Sequence, residues 1–144
     1  MTSTVNTSAT ETKADIRVSI VEDDVGIREG LIRLLKHTSG FRCLGAYVSA
    51  EEALKLIPKT KPDVVLMDIN LPEMNGVDCA RAIKLAQPSV QILMLTVFDD
   101  PQRIFEALAA GATGYLLKHS LPMEISDAIQ DVNQGGAPMN SQIA

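Results

Sequence analysis

The sequence predicts an α/β fold in which five β-strands alternate with five helices and the strands run parallel in one sheet. Three observations carry this. Short runs rich in Val, Ile and Leu alternate with segments whose apolar residues recur at helical spacing. One of those runs, Asp63-Val64-Val65-Leu66-Met67, is almost wholly apolar, as expected of a strand covered on both faces. Successive runs are also separated by enough chain for the helical crossover that parallel strands require.

Each element can be justified in turn. Ile16 to Val21 is a β-rich run that stops at Glu22-Asp23-Asp24. Ile27, Leu31, Leu34 and Leu35 then mark one face of a helix, with Gly40 as its stop. Phe41 to Val48 reads as the second strand. Ser49 and Glu52 have capping-box spacing at the start of a helix that carries Ala53, Leu54 and Ile57 inward and has Pro58 near its end. The third strand, 63–67, runs into Asp68. Leu-Pro and Asn-Gly turn signals fill 69–75, and a helix follows over about 76–86. Val90 to Leu95 is the fourth strand and stops at Thr96. Asp100 has the chemistry of an N-cap with Pro101 at the first helical position, and Gly111 ends that helix. Thr113 to Leu117 is the fifth strand and stops at Lys118. Ile125, Ala128, Ile129 and Val132 mark the last helix, closed by Gly135-Gly136. Right-handed crossovers leave few topologies for such a (βα)5 chain. The doubly wound, flavodoxin-like parallel sheet in strand order 2-1-3-4-5 leads, with its crevice outside the carboxyl ends of strands 1 and 3.

Composition narrows the function. A chain of 144 residues with 46% hydrophobic residues suits one domain and one core. Its net charge of −5 speaks against nucleic-acid binding through a basic face of this segment. Cys43 and Cys79 form no CxxC pair and read as reduced thiols of a cytoplasmic protein. No apolar run reaches membrane-spanning length, and the Thr/Ser-rich stretch 1–14 lacks a signal-peptide core and reads as a flexible leader. His37 and His119 have no third ligand nearby in sequence and read as ordinary surface residues.

The chemistry lies at the strand ends. Strand 1 ends in Glu22-Asp23-Asp24, strand 3 in Asp68, strand 4 in Thr96 and strand 5 in Lys118. Parallel strands bring these ends to one edge, and in the expected order the four strands are neighbours. Any one of these residues alone would be an unremarkable turn, cap or surface residue; their joint placement is informative. Clustered carboxylates repel one another unless a cation offsets them. An all-oxygen ligand set suits Mg²⁺, with Mn²⁺ as the alternative, rather than Zn²⁺. With a lysine and a hydroxyl beside it, such a site can cradle a phosphoryl group, with Asp68 as the nucleophile.

These residues resemble the receiver domains of bacterial response regulators, and within them the NarL/FixJ (LuxR-type) subfamily. The likeness rests on Val-Glu-Asp-Asp at 21–24, Met-Asp-Ile-Asn-Leu-Pro-Glu-Met-Asn-Gly at 67–76, Leu-Thr-Val at 95–97 and Gly-Ala-Thr-Gly-Tyr-Leu-Leu-Lys at 111–118. Thr-Val-Phe-Asp-Asp at 96–100, Lys-His-Ser at 118–120 and Gly-Gly-Ala-Pro-Met at 135–139 point to the subfamily. The resemblance implies that Glu22, Asp23 and Asp68 hold Mg²⁺ together with the backbone carbonyl of Asn70. It makes Asp68 the phosphoacceptor, Thr96 the switch hydroxyl, Lys118 the phosphoryl-contacting lysine, and Tyr115 the aromatic that turns inward on activation. It implies a sensor histidine kinase or phosphotransfer protein as donor, dimerisation on phosphorylation as one response, and DNA contact only through a helix-turn-helix domain beyond a linker starting at 137–144; a stand-alone receiver acting through protein-protein contacts is the alternative output. The receiver itself is expected over 15–136.

Two positions depart from the commonest receiver pattern. His119 follows Lys118 where many receivers have Pro, which makes a cis peptide there costly. Val97 follows Thr96 where many have Ala or Gly, and the bulkier side chain is expected to narrow phosphoryl access. Phosphorylation by a small donor should therefore be faster in Val97→Ala, and equal rates in the two proteins would exclude that role. Three other readings fit less well. A haloacid-dehalogenase-type phosphatase places a second Asp two residues after the first, where this chain has Asn70; a dinucleotide binder needs G-x-G-x-x-G after the first strand. A receiver that kept the fold and lost the chemistry would not need Thr96 and Lys118 beside the acids.

Overall fold

The computed structural model describes residues 15–97 and 101–137. Ten elements alternate: β1 (Ile16–Val21), α1 (Val25–His37), β2 (Phe41–Tyr47), α2 (Ala50–Thr60), β3 (Val64–Asp68), α3 (Gly76–Ala86), β4 (Gln91–Thr96), α4 (Pro101–Ala109), β5 (Gly114–Leu117) and α5 (Pro122–Asn133). The five strands form one parallel sheet in the order β2-β1-β3-β4-β5, as the sequence predicts. Strand ends shift by one residue: β3 and β4 reach Asp68 and Thr96 themselves, and β5 begins at Gly114.

Alternating residues of each strand feed two cores, which is why the strands are apolar throughout. On one face Val65 and Met67 of β3 and Ile92 and Met94 of β4 pack on Ala53 and Ile57 of α2, Cys79 and Ile83 of α3 and Ala107 of α4. On the other, Val18 and Ile20 of β1, Leu66 of β3 and Leu93 of β4 pack on Leu31 and Leu35 of α1 and on Ile125, Ala128, Ile129 and Val132 of α5. The four α5 residues picked out by their spacing are all buried.

Helix ends follow local chemistry. Ser49 Oγ accepts from the Glu52 N–H at 3.2 Å, but Glu52 Oε1 accepts from the Val48 N–H at 3.0 Å rather than from that of Ser49, so the capping box is one residue wider than expected. Pro58 lies in the last turn of α2, which closes on Lys61 in the left-handed conformation (φ 50°). The Arg17 guanidinium of β1 donates to the carbonyls of Thr60 and Lys61 at 2.6 and 2.9 Å, a C-cap supplied from another element. The glycines read as stops, Gly40, Gly111 and Gly135, all have φ near +100°, where any Cβ is strained. The N-cap expected at Asp100 lies outside the described residues.

Candidate functional site

The β1–α1 turn is built to present carboxylates. Glu22 N–H continues the β1–β2 pairing by donating to Tyr47 O at 2.9 Å. Asp24 Oδ1 caps α1 by accepting from the Ile27 N–H at 3.0 Å, while its own N–H donates to Glu22 Oε2 at 3.1 Å. The Arg28 guanidinium, one turn into α1, donates to the carbonyls of Glu22 and Asp23 at 2.9 and 3.2 Å. Asp24 is thus occupied as a cap, and Glu22 and Asp23 are left facing the crevice.

Asp68, only 3% exposed, ends β3. Its Oδ1 accepts from the Asn70 N–H at 3.0 Å, an Asx turn that starts the β3–α3 loop. Ile69 and Leu71 of this loop are buried, and the Gly76 N–H donates back to Ile69 O at 2.9 Å. This return brings the start of α3 against the backbone of Asp68, at a distance that only glycine allows.

The two turns place carboxylate oxygens of Glu22, Asp23 and Asp68 within 4.8 Å of one another. Glu22 and Asp68 are buried and Asp23 is exposed, so the cluster has one open side. Lys118, carried past the end of β5 and fixed by its N–H bond to Thr96 O at 2.7 Å, reaches into it. Its Nζ lies 2.9 Å from Glu22 Oε1 and 3.1 Å from Asp68 Oδ1.

Burial and like charge shape the electrostatics. Desolvation, aided by the nearby Asp68 charge, pushes the Glu22 carboxyl up to about 7 against the opposing hydrogen bonds from Lys118 and the Asp24 N–H. Burial works against the Lys118 ammonium, but its hydrogen bond to Glu22 and the charges of Asp68 and Glu22 outweigh this and hold its pKa above the ordinary lysine value. A set of three carboxylates offers only hard oxygen donors, which fits Mg²⁺ or Mn²⁺.

The remaining candidates sit around this centre. Thr96 is buried at the end of β4, paired in register with Leu117. Tyr115, in register with Met94, is fully buried on the α2–α3–α4 face and so already stands inward. Asn70 is exposed, and its side-chain oxygen accepts from the Arg103 guanidinium of α4. Val97 is 57% exposed at the rim. No cis peptide occurs among the described residues, so Lys118–His119 is trans. His119 is exposed, and His37 Nδ1 pairs with Arg33 O within its own helix. Cys43 and Cys79 are both free; burial pushes the Cys79 thiol up to about 12, which leaves it inert.

Sequence reasoning missed Arg28, Arg103 and the structural demand on Gly76. An Arg at helical spacing looks like any solvated residue. A glycine opening a helix was a usable signal, because it is a poor helix former there unless close approach demands it.

Comparison with known proteins agrees with this architecture. The model of the response regulator receiver domain family matches residues 18–130. The uncharacterized transcriptional regulatory protein YxjL of Bacillus subtilis is 38% identical over 87% of this chain and 57% of its own length. The transcriptional regulatory protein DegU of Brevibacillus brevis is 36% identical over 89% of the chain and 54% of its length. The chain thus spans about half the length of these relatives. Among solved structures, a LuxR-family two-component response regulator from an Aurantimonas species superposes with a TM-score of 0.85 at 32% identity, covering 90% of this chain and 93% of that one. The receiver domain of the response regulator NarL from Mycobacterium tuberculosis gives 0.81 at 33% identity, covering 84% and 98%. The chain therefore belongs to the response-regulator receiver family, as a two-component receiver domain of the LuxR/NarL type.

Proposed function

We propose that Asp68 is the phosphoacceptor of this receiver and that its phosphorylation sets the surface offered to an output partner. The observation that carries the reading is the buried Asp68 carboxylate 3.1 Å from the Lys118 ammonium and beside two further carboxylates. An Asp68 oxygen attacks the phosphorus of a phosphohistidine on a sensor kinase or phosphotransfer protein. The P–N bond breaks and its electron pair returns to the imidazole. Lys118 moves from the two carboxylates it bridges toward the phosphoryl oxygens, balancing the charge they bring. Glu22, Asp23, Asp68 and the Asn70 carbonyl are the residues that would hold Mg²⁺. When bound, that ion neutralises charge on the carboxylates and on the phosphoryl oxygens.

The role is that of a switch, with turnover limited to slow acceptance from small phosphodonors and slow self-dephosphorylation. Thr96 is drawn toward the new charge, and Tyr115 stands in the inward position that this reading gives to the phosphorylated state. Residues 15–136 act as the receiver, 1–14 as a leader and 137–144 as the start of a linker to a helix-turn-helix domain; dimerisation on phosphorylation would serve such an output. The names of the relatives, transcriptional regulatory proteins of whose length this chain spans about half, support that output. A small phosphodonor such as acetyl phosphate should label the chain in Mg²⁺ and fail to do so with a chelator. Labelling that ignores the chelator, or no labelling at all, would overturn the reading.

The Glu22 shift gives this reading a pH dependence. Its folded pKa, about 7, lies above its ordinary value of 4.5, so the folded protein holds a proton there that the unfolded chain has lost. The stability linked to this proton is present below about pH 4.5 and is lost as pH rises through about 7. Mg²⁺ has to displace that proton, so its affinity should fall by up to about tenfold between pH 8 and pH 6. Calorimetric titration at the two pH values checks this, and a flat affinity would contradict it.

A further inference from the structure

The Arg103 side chain ties the loop that carries Asn70 to α4. Both ends of this loop are anchored by backbone bonds, Ile69 N–H to Leu95 O at 3.1 Å and Gly76 N–H to Ile69 O at 2.9 Å, and buried Ile69 and Leu71 hold it to the core. Asn70 itself is exposed. Its backbone is fixed on the amino side by the Asx turn to Asp68 Oδ1, and its side chain is fixed by Arg103. The pair lines a cleft of about 500 Å³ between α3 and α4. In that cleft Asp78 is paired with Arg81 at 3.0 Å and Glu106 accepts from Gln102 at 3.1 Å, so both acids have partners on their own helices. Arg103 instead reaches across to the loop beside Asp68.

We infer that Arg103 is a positioning residue for the acidic site: by holding the Asn70 side chain it orients the peptide whose carbonyl would complete the metal set, and so links α4 to the state of Asp68. This role rests on the metal-assisted phosphoacceptor reading above. A guanidinium suits the task because it is always charged and its planar donors fix the amide they bind, whereas Arg81, in the same cleft, is turned to Asp78. The link also runs in reverse: a partner that pulls Arg103 away as it docks on α4 loosens the Asn70 peptide, and with it the hold on the metal.

The test uses Arg103→Ala, Arg103→Lys, Asn70→Ala, the Arg103→Ala/Asn70→Ala pair and, as a control from the same cleft, Arg81→Ala. Mg²⁺ affinity by calorimetric titration should fall about tenfold in Arg103→Ala, the size usual for loss of a residue that orients a metal ligand. Asn70→Ala should lose as much, the double variant no more than either single one, and Arg103→Lys should recover part of the loss. In the metal-free protein, amide exchange over 69–75 should quicken in Arg103→Ala and not in Arg81→Ala, with the urea midpoints of both at the parent value. If the parent binds Mg²⁺ and Arg103→Ala binds it equally well, or if the two single losses simply add, the role of Arg103 is overturned while the phosphoacceptor reading stands. If the parent binds no Mg²⁺, that reading fails and takes this role with it.

Discussion

Gly76→Ala is expected to destabilise the fold by about 3 kcal/mol and to displace Asp68, although the change adds one methyl group at a helix start where alanine is ordinarily favourable. A Cβ at this position would lie 2.2 Å from the carbonyl oxygen of Asp68 and 2.7 Å from Cα of Ile69. Both are backbone atoms of the strand end, so no side chain can rotate out of the way. The relief has to come from moving either α3, whose Cys79, Ala80 and Ile83 are packed in the core, or the Asp68 turn itself. Either path disturbs the site, so phosphodonor labelling should fall along with the urea midpoint. A variant with the parent's midpoint and labelling rate would show that the close approach is not required.

Lys118→Met should have the second large effect, and its sign with pH is distinctive. The substitution keeps the length of the side chain but removes the cation lying 2.9 Å from Glu22 and 3.1 Å from Asp68, both buried. Stranding buried charge by removing one partner typically costs about 3–5 kcal/mol. Here part of that cost can be avoided, because Glu22 already holds its proton up to about pH 7 with Lys118 present and holds it more tightly without it. The loss of stability should thus be about 3 kcal/mol at pH 8 and clearly smaller at pH 5.5. Equal losses at the two pH values would mean that the pair carries no such linkage. Labelling by a small donor should drop about a hundredfold, the scale on which a single charge-stabilising donor acts.

Much of this was legible in the sequence because both signals are positional. Alternating periods give the βα order, and parallel pairing then forces every strand end to one edge. Glu22, Asp23, Asp68 and Lys118 could therefore be grouped although the first and last lie 96 positions apart. The pairings across the edge were not legible. Nothing in the order of residues says that Lys118 bridges Glu22 as well as Asp68, since that depends on how far the β5–α5 turn extends. Arg17 capping α2, Arg28 holding the acidic turn and Arg103 reaching Asn70 are contacts between elements, and periodicity is blind to them. The spacing of Ser49 and Glu52 marks the residues of the capping box but not its closure, because which N–H the Glu52 side chain meets depends on the path of the chain out of β2. The resemblance makes Tyr115 a residue that turns inward on activation, and in the structure its side chain is already fully buried; the sequence marks the residue but not its rotamer.

The central claim, that Asp68 takes up the phosphoryl group, is tested most directly by intact-mass and peptide mapping after incubation with acetyl phosphate and Mg²⁺. The account predicts that the parent chain gains one hydroxylamine-labile phosphoryl group, mapped to the peptide containing Asp68, and that Asp68→Asn gains none. Continued single-site labelling of folded Asp68→Asn, or a label that maps to another residue of the parent, would contradict it.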